Sequence, residues 1–232
     1  MERNQLFREK VIKDGFTLMD KKIAQLYDNG KVNEAIHLLV QKIDQKPQNI
    51  ENYLQLSTYL LEQGSVDQAQ QLLEQAQHLV KKPQELNYNL AVSYYMQGDF
   101  DKALALLDQI PNDDLTLYQK ALTYLKLGQS QKALAYALTI KKIDEKVQEL
   151  LGDIWLSLGE NDQAQQSYLA IPVDKRTAKI YFLLGVSTME KDLNKAESYF
   201  AKAKAMDEKY YKRAMDQYAS IMKMLNDKEK KK

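Results

Sequence analysis

Along most of this chain, apolar side chains return every three or four residues, the spacing of one face of an α-helix. Tyr88 to Ile110 shows the unit most plainly: YNLAVSYYMQ, then Gly98-Asp99, then FDKALALLDQI. The pattern predicts a helix, a tight turn at the glycine and a second helix folded back on the first. Its landmarks recur. Gly30, Gly64 and Gly98 lie 34 residues apart, and Ala35, Ala69 and Ala103 keep that step, as do Leu39, Leu73 and Leu107. Gly128 with Ala133, Gly159 with Ala164, and Lys191 with Ala196 continue the series at alanine steps of 30, 31 and 32. One such hairpin cannot bury its apolar face alone, so successive copies must stack. No stretch alternates Val, Ile and Thr as a strand would, and the expected class is all-α.

The rows have assignable jobs. The alanine five residues after each turn position is small enough for two helices to press together. Ser57, Ala91, Ala121 and Gly152, seven residues before their glycines, form the facing small row. Leu60, Tyr94, Tyr124 and Trp155, four before, are bulky and fill the space between hairpins. Pro111 and Pro172 cut second helices short, because proline cannot continue a helix. Met206 to Leu225 carries one sticky stripe (Tyr211, Ala214, Met215, Tyr218, Ile221, Met222, Leu225) and reads as a capping helix. Residues 226–232 are expected to be a disordered basic tail. In residues 1–15, Leu6, Phe7, Val11 and Ile12 predict a helix folded onto the first hairpin, with Gly15 either a break or a tolerated interior glycine.

The turn glycines, the small and large rows, and Pro47 at the end of the first unit resemble the tetratricopeptide repeat, over roughly Phe16 to Glu208. The resemblance implies a right-handed α-solenoid of antiparallel helical hairpins: one domain, 1–232, with about six repeats over 16–205 and the cap over 206–225. It also implies a concave surface lined by the first helices. Its expected role is a non-enzymatic scaffold or adaptor that binds a peptide or helix of another protein. Two alternatives stand beside that role: a peptide-sensing regulatory protein, and a structural module that self-associates through its ends.

Composition narrows the chemistry. Lys+Arg 33 against Asp+Glu 32 leaves no strong field to draw nucleic acid or anionic membrane. There is no cysteine, which excludes disulfides, thiol nucleophiles and thiolate metal sites. Apolar runs such as Tyr181 to Val186 fall far short of the roughly 20 residues of a membrane span. The start, MERNQLFREK, lacks the apolar core of a signal peptide, so the expected location is cytoplasmic. His37 and His78 sit in second helices of different hairpins with no partner at metal-ligand spacing. Asp113-Asp114 reads as a helix N-cap and not an acid–base pair. No catalytic residue, metal or cofactor is expected.

The candidate site is the concave face of the middle hairpins. Gln55, Asn89 and Gln119, nine before their glycines, form an amide row that can both donate and accept, as an extended peptide backbone requires. Related repeat proteins hold peptide main chain with a similar asparagine row, which is what the resemblance implies here. Tyr88 and Tyr118 stand ten before, Thr58, Val92 and Leu122 six before, and Tyr95 three before. Together Gln55, Thr58, Tyr88, Asn89, Val92, Tyr95, Tyr118, Gln119 and Leu122 are the expected partner-binding residues. The same side chains equally read as packing between hairpins. In some family members lysines, an arginine and asparagines grip a partner's acidic C-terminus. Here the inner rows between residues 51 and 125 offer Glu51 and Glu85 but no Lys or Arg. An acidic tail is therefore disfavoured, and an apolar or neutral segment with basic residues near Glu149 and Asp153 fits better.

Overall fold

The computed structural model describes residues 20–229, with side chains to residue 224. The expected N-terminal helix over 1–15 and the end of the basic tail, 230–232, lie outside the described residues. The helices group into two compact units, divided between Gly128 and Gln129. Unit 1 holds α1 (Lys21–Asp28), α2 (Val32–Gln45), α3 (Ile50–Glu62), α4 (Val66–Gln77), α5 (Asn87–Gln97), α6 (Phe100–Leu107) and α7 (Asp114–Lys126), with a 3-10 turn at Pro83–Leu86. Unit 2 holds α8 (Ser130–Ala137), α9 (Glu145–Ser157), α10 (Asn161–Ala170), α11 (Ala178–Thr188), α12 (Leu193–Met206) and α13 (Glu208–Glu229), with a 3-10 turn at Val173–Lys175. All described elements are helical, as the periodicity requires. No helix among the described residues is long and apolar enough to cross a membrane.

The turns show why glycine recurs. Gly98 has φ +89°, a left-handed conformation that costs an L side chain about 1 kcal/mol or more. That conformation lets the Asp99 N–H donate back to the Tyr94 carbonyl at 2.9 Å, which closes the end of α5. The same bond joins Lys31 to Leu26, Ser65 to Leu60 and Glu160 to Trp155, at 2.8 to 2.9 Å. The residue four before the glycine thus supplies both bulk and a capping carbonyl.

The small rows are where helices touch. Ala35, Ala69, Ala103, Ala133, Ala164 and Ala196 are all 0% exposed, and so are Ser57, Ala91 and Ala121. At Gly152 the contact is closer still: a Cβ there would fall 2.3 Å from a ring carbon of Tyr168. The cores lie between successive hairpins, one of them built from Ile23, Tyr27, Ala35, Leu39, Leu56 and Tyr59. In it Tyr27 stacks on Tyr59 with ring centroids 3.8 Å apart. Second helices are 14 and 12 residues in α2 and α4, then 8 in α6, which ends before Ile110-Pro111.

The C-terminal end departs from the regular repeat in three respects. Lys191, placed in the glycine's position, does not adopt the left-handed turn. The N–H groups of Lys191 and Asp192 both donate to the Thr188 carbonyl, at 3.0 and 2.9 Å, and Asp192 caps α12 by accepting from the Lys195 N–H at 3.0 Å. The small residue of this hairpin is Gly185, where a Cβ would sit 2.4 Å from Phe200. The second concerns the capping stripe. Tyr211, Ala214, Met215 and Tyr218 do pack onto unit 2. Ile221, Met222 and Met224 are 54%, 39% and 63% exposed, because α13 continues past the hairpin that it covers. The third concerns the tail: residues 226–229, expected to be disordered, form the last turn of α13.

Candidate partner-binding site

In unit 1 the amide row is internal. Gln55, Asn89 and Gln119 are 2%, 3% and 4% exposed. Asn89 Nδ2 donates to the Leu54 carbonyl at 3.2 Å, to Ser57 Oγ at 2.9 Å and to Thr58 Oγ1 at 3.2 Å, all on the preceding first helix. Gln55 Nε2 donates to the Tyr59 hydroxyl at 2.9 Å within its own helix. Two of the amides expected to meet a peptide backbone, Gln55 and Asn89, bond inside the protein instead. Gln119 Nε2 has no partner. The repeat explains the orphan: the positions of Ser57 and Thr58, whose hydroxyls serve Asn89, are Ala91 and Val92 one repeat later.

The other expected residues divide by burial. Thr58 is fully buried and donates to the Leu54 carbonyl at 2.8 Å, and Val92 is 2% exposed. Tyr88 is 5% exposed, and burial, with Asp113 and Tyr118 nearby, pushes its phenol well above the ordinary tyrosine range. Tyr95, Tyr118 and Leu122 are half-buried and reach solvent from α5 and α7. Tyr95 lies 5.7 Å, centroid to centroid, from Phe100.

Charges on the first helices are unevenly used. Glu51 and Glu85 share the position thirteen before their glycines. Burial raises the Glu51 carboxyl above the usual range, a bond from Asn49 opposes this, and the Glu85 charge adds to the rise. Glu85 pairs with Lys82 at 3.1 Å. In unit 2, Lys179 Nζ lies 2.5 Å from Glu149 and 2.8 Å from Asp153, which also accepts from the Tyr168 hydroxyl at 2.8 Å. Burial works to lower the Lys179 pKa, but the two carboxylates outweigh it and raise it. The expected attraction of basic residues to Glu149 and Asp153 is thereby corrected: the chain supplies that cation itself, from a helix 26 to 30 residues away.

Sequence reading also missed Lys120. Its side chain is almost fully buried in α7, and Nζ meets Asp108 at 2.7 Å and Asn112 at 2.9 Å. It fastens the connection that follows the shortened α6. Asp113 behaves as expected, accepting from the Thr116 N–H at 2.7 Å to cap α7. His37 and His78 are exposed, His37 beside Gln41. A shallow cleft lined by Glu74, His78, Tyr94 and Lys102 contains none of the nine expected residues.

Glycine-closed hairpins, stacked through rows of alanine and tied side by side through buried polar groups, define a helical-repeat protein. Models of the tetratricopeptide repeat match residues 26–84, 60–125 and 116–147, together just over half of the chain. The chain belongs to the tetratricopeptide repeat family. TPR repeat-containing protein MJ1428 of Methanocaldococcus jannaschii is 27% identical over 180 residues, 70% of this chain but 30% of that protein. The chain therefore spans less than a third of the curated relative that it matches. Among solved structures, PilW, a widely conserved type IV pilus biogenesis factor, matches with a TM-score of 0.71 and 18% identity, over 80% of this chain and 90% of its own. A chain of the APC/C hetero-tetramer Cut9–Hcn1 matches at 0.67 and 16%, over 86% of this chain and 42% of its own. At these identities the likeness is one of fold.

Proposed function

We propose that this chain is a non-enzymatic scaffold that takes a peptide or helix of a partner protein on the first-helix face of unit 1. Membership of the tetratricopeptide repeat family supports protein–protein interaction in general. The finer reading is carried by one observation: Tyr95, Tyr118 and Leu122 are half-buried on helices whose other expected residues, Tyr88, Asn89, Val92 and Gln119, are buried. A large apolar or amphipathic side chain on a rigid floor loses little entropy when a partner covers it, which makes it a good anchor. The partner meets Tyr95, Tyr118 and Leu122, while Asn89, Thr58 and Val92 are buried within the protein. The near-balanced charge fits a partner that is neither nucleic acid nor a membrane surface.

Affinity capture from native lysate tests this. Wild type is compared with a Tyr95/Tyr118/Leu122 triple alanine variant matched in helicity and unfolding midpoint. A protein retained by wild type and lost by the variant supports the reading, and equal recovery by both refutes it. Exposed Ile221, Met222 and Met224 favour a second reading, self-association through α13. A molar mass that rises with concentration in wild type, but not in Ile221→Lys/Met224→Lys, supports that reading.

A further inference from the structure

Unit 1 also has a concavity on its second helices. A cleft of about 560 Å³ lies between α4 and α6, over α5, within the roughly 300–1,000 Å³ range of ligand pockets. Leu90, Tyr94 and Leu106 form its floor, with Glu74 and His78 on the α4 side and Lys102 on the α6 side. Gln71 of α4 does not line it. Glu74 is half-buried and held in place, its Oε1 accepting from Gln70 Nε2 at 2.7 Å and from the Tyr94 hydroxyl at 3.0 Å. A carboxylate has room for about four hydrogen bonds, and no described residue donates to Oε2. Lys102 Nζ stands 5.0 Å from the centroid of the Tyr94 ring and 3.0 Å from Asp99. The Asp99 bond and charge, with smaller contributions from Tyr94 and Glu74, raise the Lys102 pKa. The cleft thus already attracts one cation, from its own chain. Around it, α4 and α6 carry Asp67, Glu74 and Asp101 against Lys102 alone.

We propose that this cleft is a second docking site, which takes an arginine and an adjoining apolar side chain from a partner peptide. A guanidinium is planar, so it can lie on the Tyr94 ring in place of Lys102 and donate to Glu74, whose carboxylate stands at the hydroxyl end of the same ring. The apolar neighbour packs on Ala105 and Leu106, which α6 leaves partly open to solvent. Displacing Lys102 costs little, because its side chain is 63% exposed and an ion pair in that setting contributes little. The site shares no residue with the first-helix face, so either reading can fail alone.

The probe is acetyl-leucyl-arginine amide, titrated into the isotope-labelled full chain and followed through backbone amide signals by NMR. The expected result is saturable shifts at Glu74, His78, Tyr94, Lys102 and Leu106, with none at Tyr118 or Leu122. Acetyl-leucyl-citrulline amide keeps the shape without the charge and should bind about tenfold more weakly, as should the arginine probe to Glu74→Gln. Lys102→Met removes the resident cation and should tighten binding several-fold. Signals outside α4–α6 report that each variant keeps its fold. Absence of saturable shifts in the cleft overturns the proposal, as do equal affinities for the arginine and citrulline probes, or binding that Glu74→Gln leaves unchanged. Binding that Lys102→Met leaves unchanged or weakens also overturns it. Saturable binding of acetyl-leucyl-glutamate amide in place of the arginine probe makes the cleft an anion site and overturns it too.

Discussion

Asn89 and Gln119 occupy the same row one repeat apart, yet the structure assigns their substitution opposite signs. Asn89 is 3% exposed and gives its amide to three acceptors on α3. In Asn89→Ala the Ser57 and Thr58 hydroxyls still donate to the Leu54 carbonyl, at 3.1 and 2.8 Å, so no donor is stranded. The loss is then the net worth of the hydrogen bonds, about 0.5–1.5 kcal/mol each, plus a small cavity, or about 1–3 kcal/mol in all. Gln119 Nε2 is buried with no partner, a state that costs about 1–3 kcal/mol. Gln119→Met keeps the volume and removes the orphan, and is expected to stabilise by about 0.5–2 kcal/mol. Ala91→Ser returns a hydroxyl to the position that serves Asn89, so it should help beside Gln119 and cost stability once Gln119→Met has removed the amide. Urea unfolding followed by circular dichroism reads all four variants, with hydrogen exchange localising the change to unit 1. Trp155, the one tryptophan, lies in unit 2 and is the wrong probe. An unchanged midpoint for Asn89→Ala, or a lower one for Gln119→Met, refutes the assignment.

Other outcomes follow from the same contacts. Gly152→Ala should destabilise by about 1–3 kcal/mol through overpacking against Tyr168, read by thermal unfolding, although alanine is the better helix former. Gly98→Ala meets no crowding but is strained at φ +89°, and should cost about 1 kcal/mol. Lys179 has a folded pKa above its unfolded value, so its contribution is complete below the unfolded pKa, about 10.4, and is lost as pH rises through the folded one. The raised phenols of Tyr88 and Tyr168 act in the same direction above their unfolded pKa of about 10. Stability should therefore fall steeply in alkali. Urea midpoints measured across pH 9 to 11 should fall less for Lys179→Met than for wild type.

Much of the fold was legible because it depends on spacing. Alanine five after the turn, a small residue seven before it and a bulky one four before it are properties of single positions, and the alanine row is fully buried in all six repeats. The last hairpin defeated the count because its turn closes on the Thr188 carbonyl and Asp192 without a glycine, which moves the small row to Gly185. The site was less legible for a different reason. Whether an amide faces solvent or a neighbouring helix depends on what stands 31 to 35 residues away, as Asn89 shows with Thr58, Ser57 and Leu54. Lys179 and Lys120 look like solvated charges in sequence, and only the stacking of hairpins brings Glu149, Asp153 and Asp108 to them. A polar residue in a repeat has to be read against the hairpin before it.

The most direct test of the scaffold reading is site-specific photocrosslinking in the native host extract. A benzoyl-phenylalanine replaces Tyr118 on the half-buried part of the face, and in a matched protein replaces exposed Gln71 on α4. A discrete adduct with a second polypeptide at 118 and none at 71 is the predicted result. Adducts at 71 alone, or equally at both positions, would contradict the assignment of partner binding to the first-helix face of unit 1.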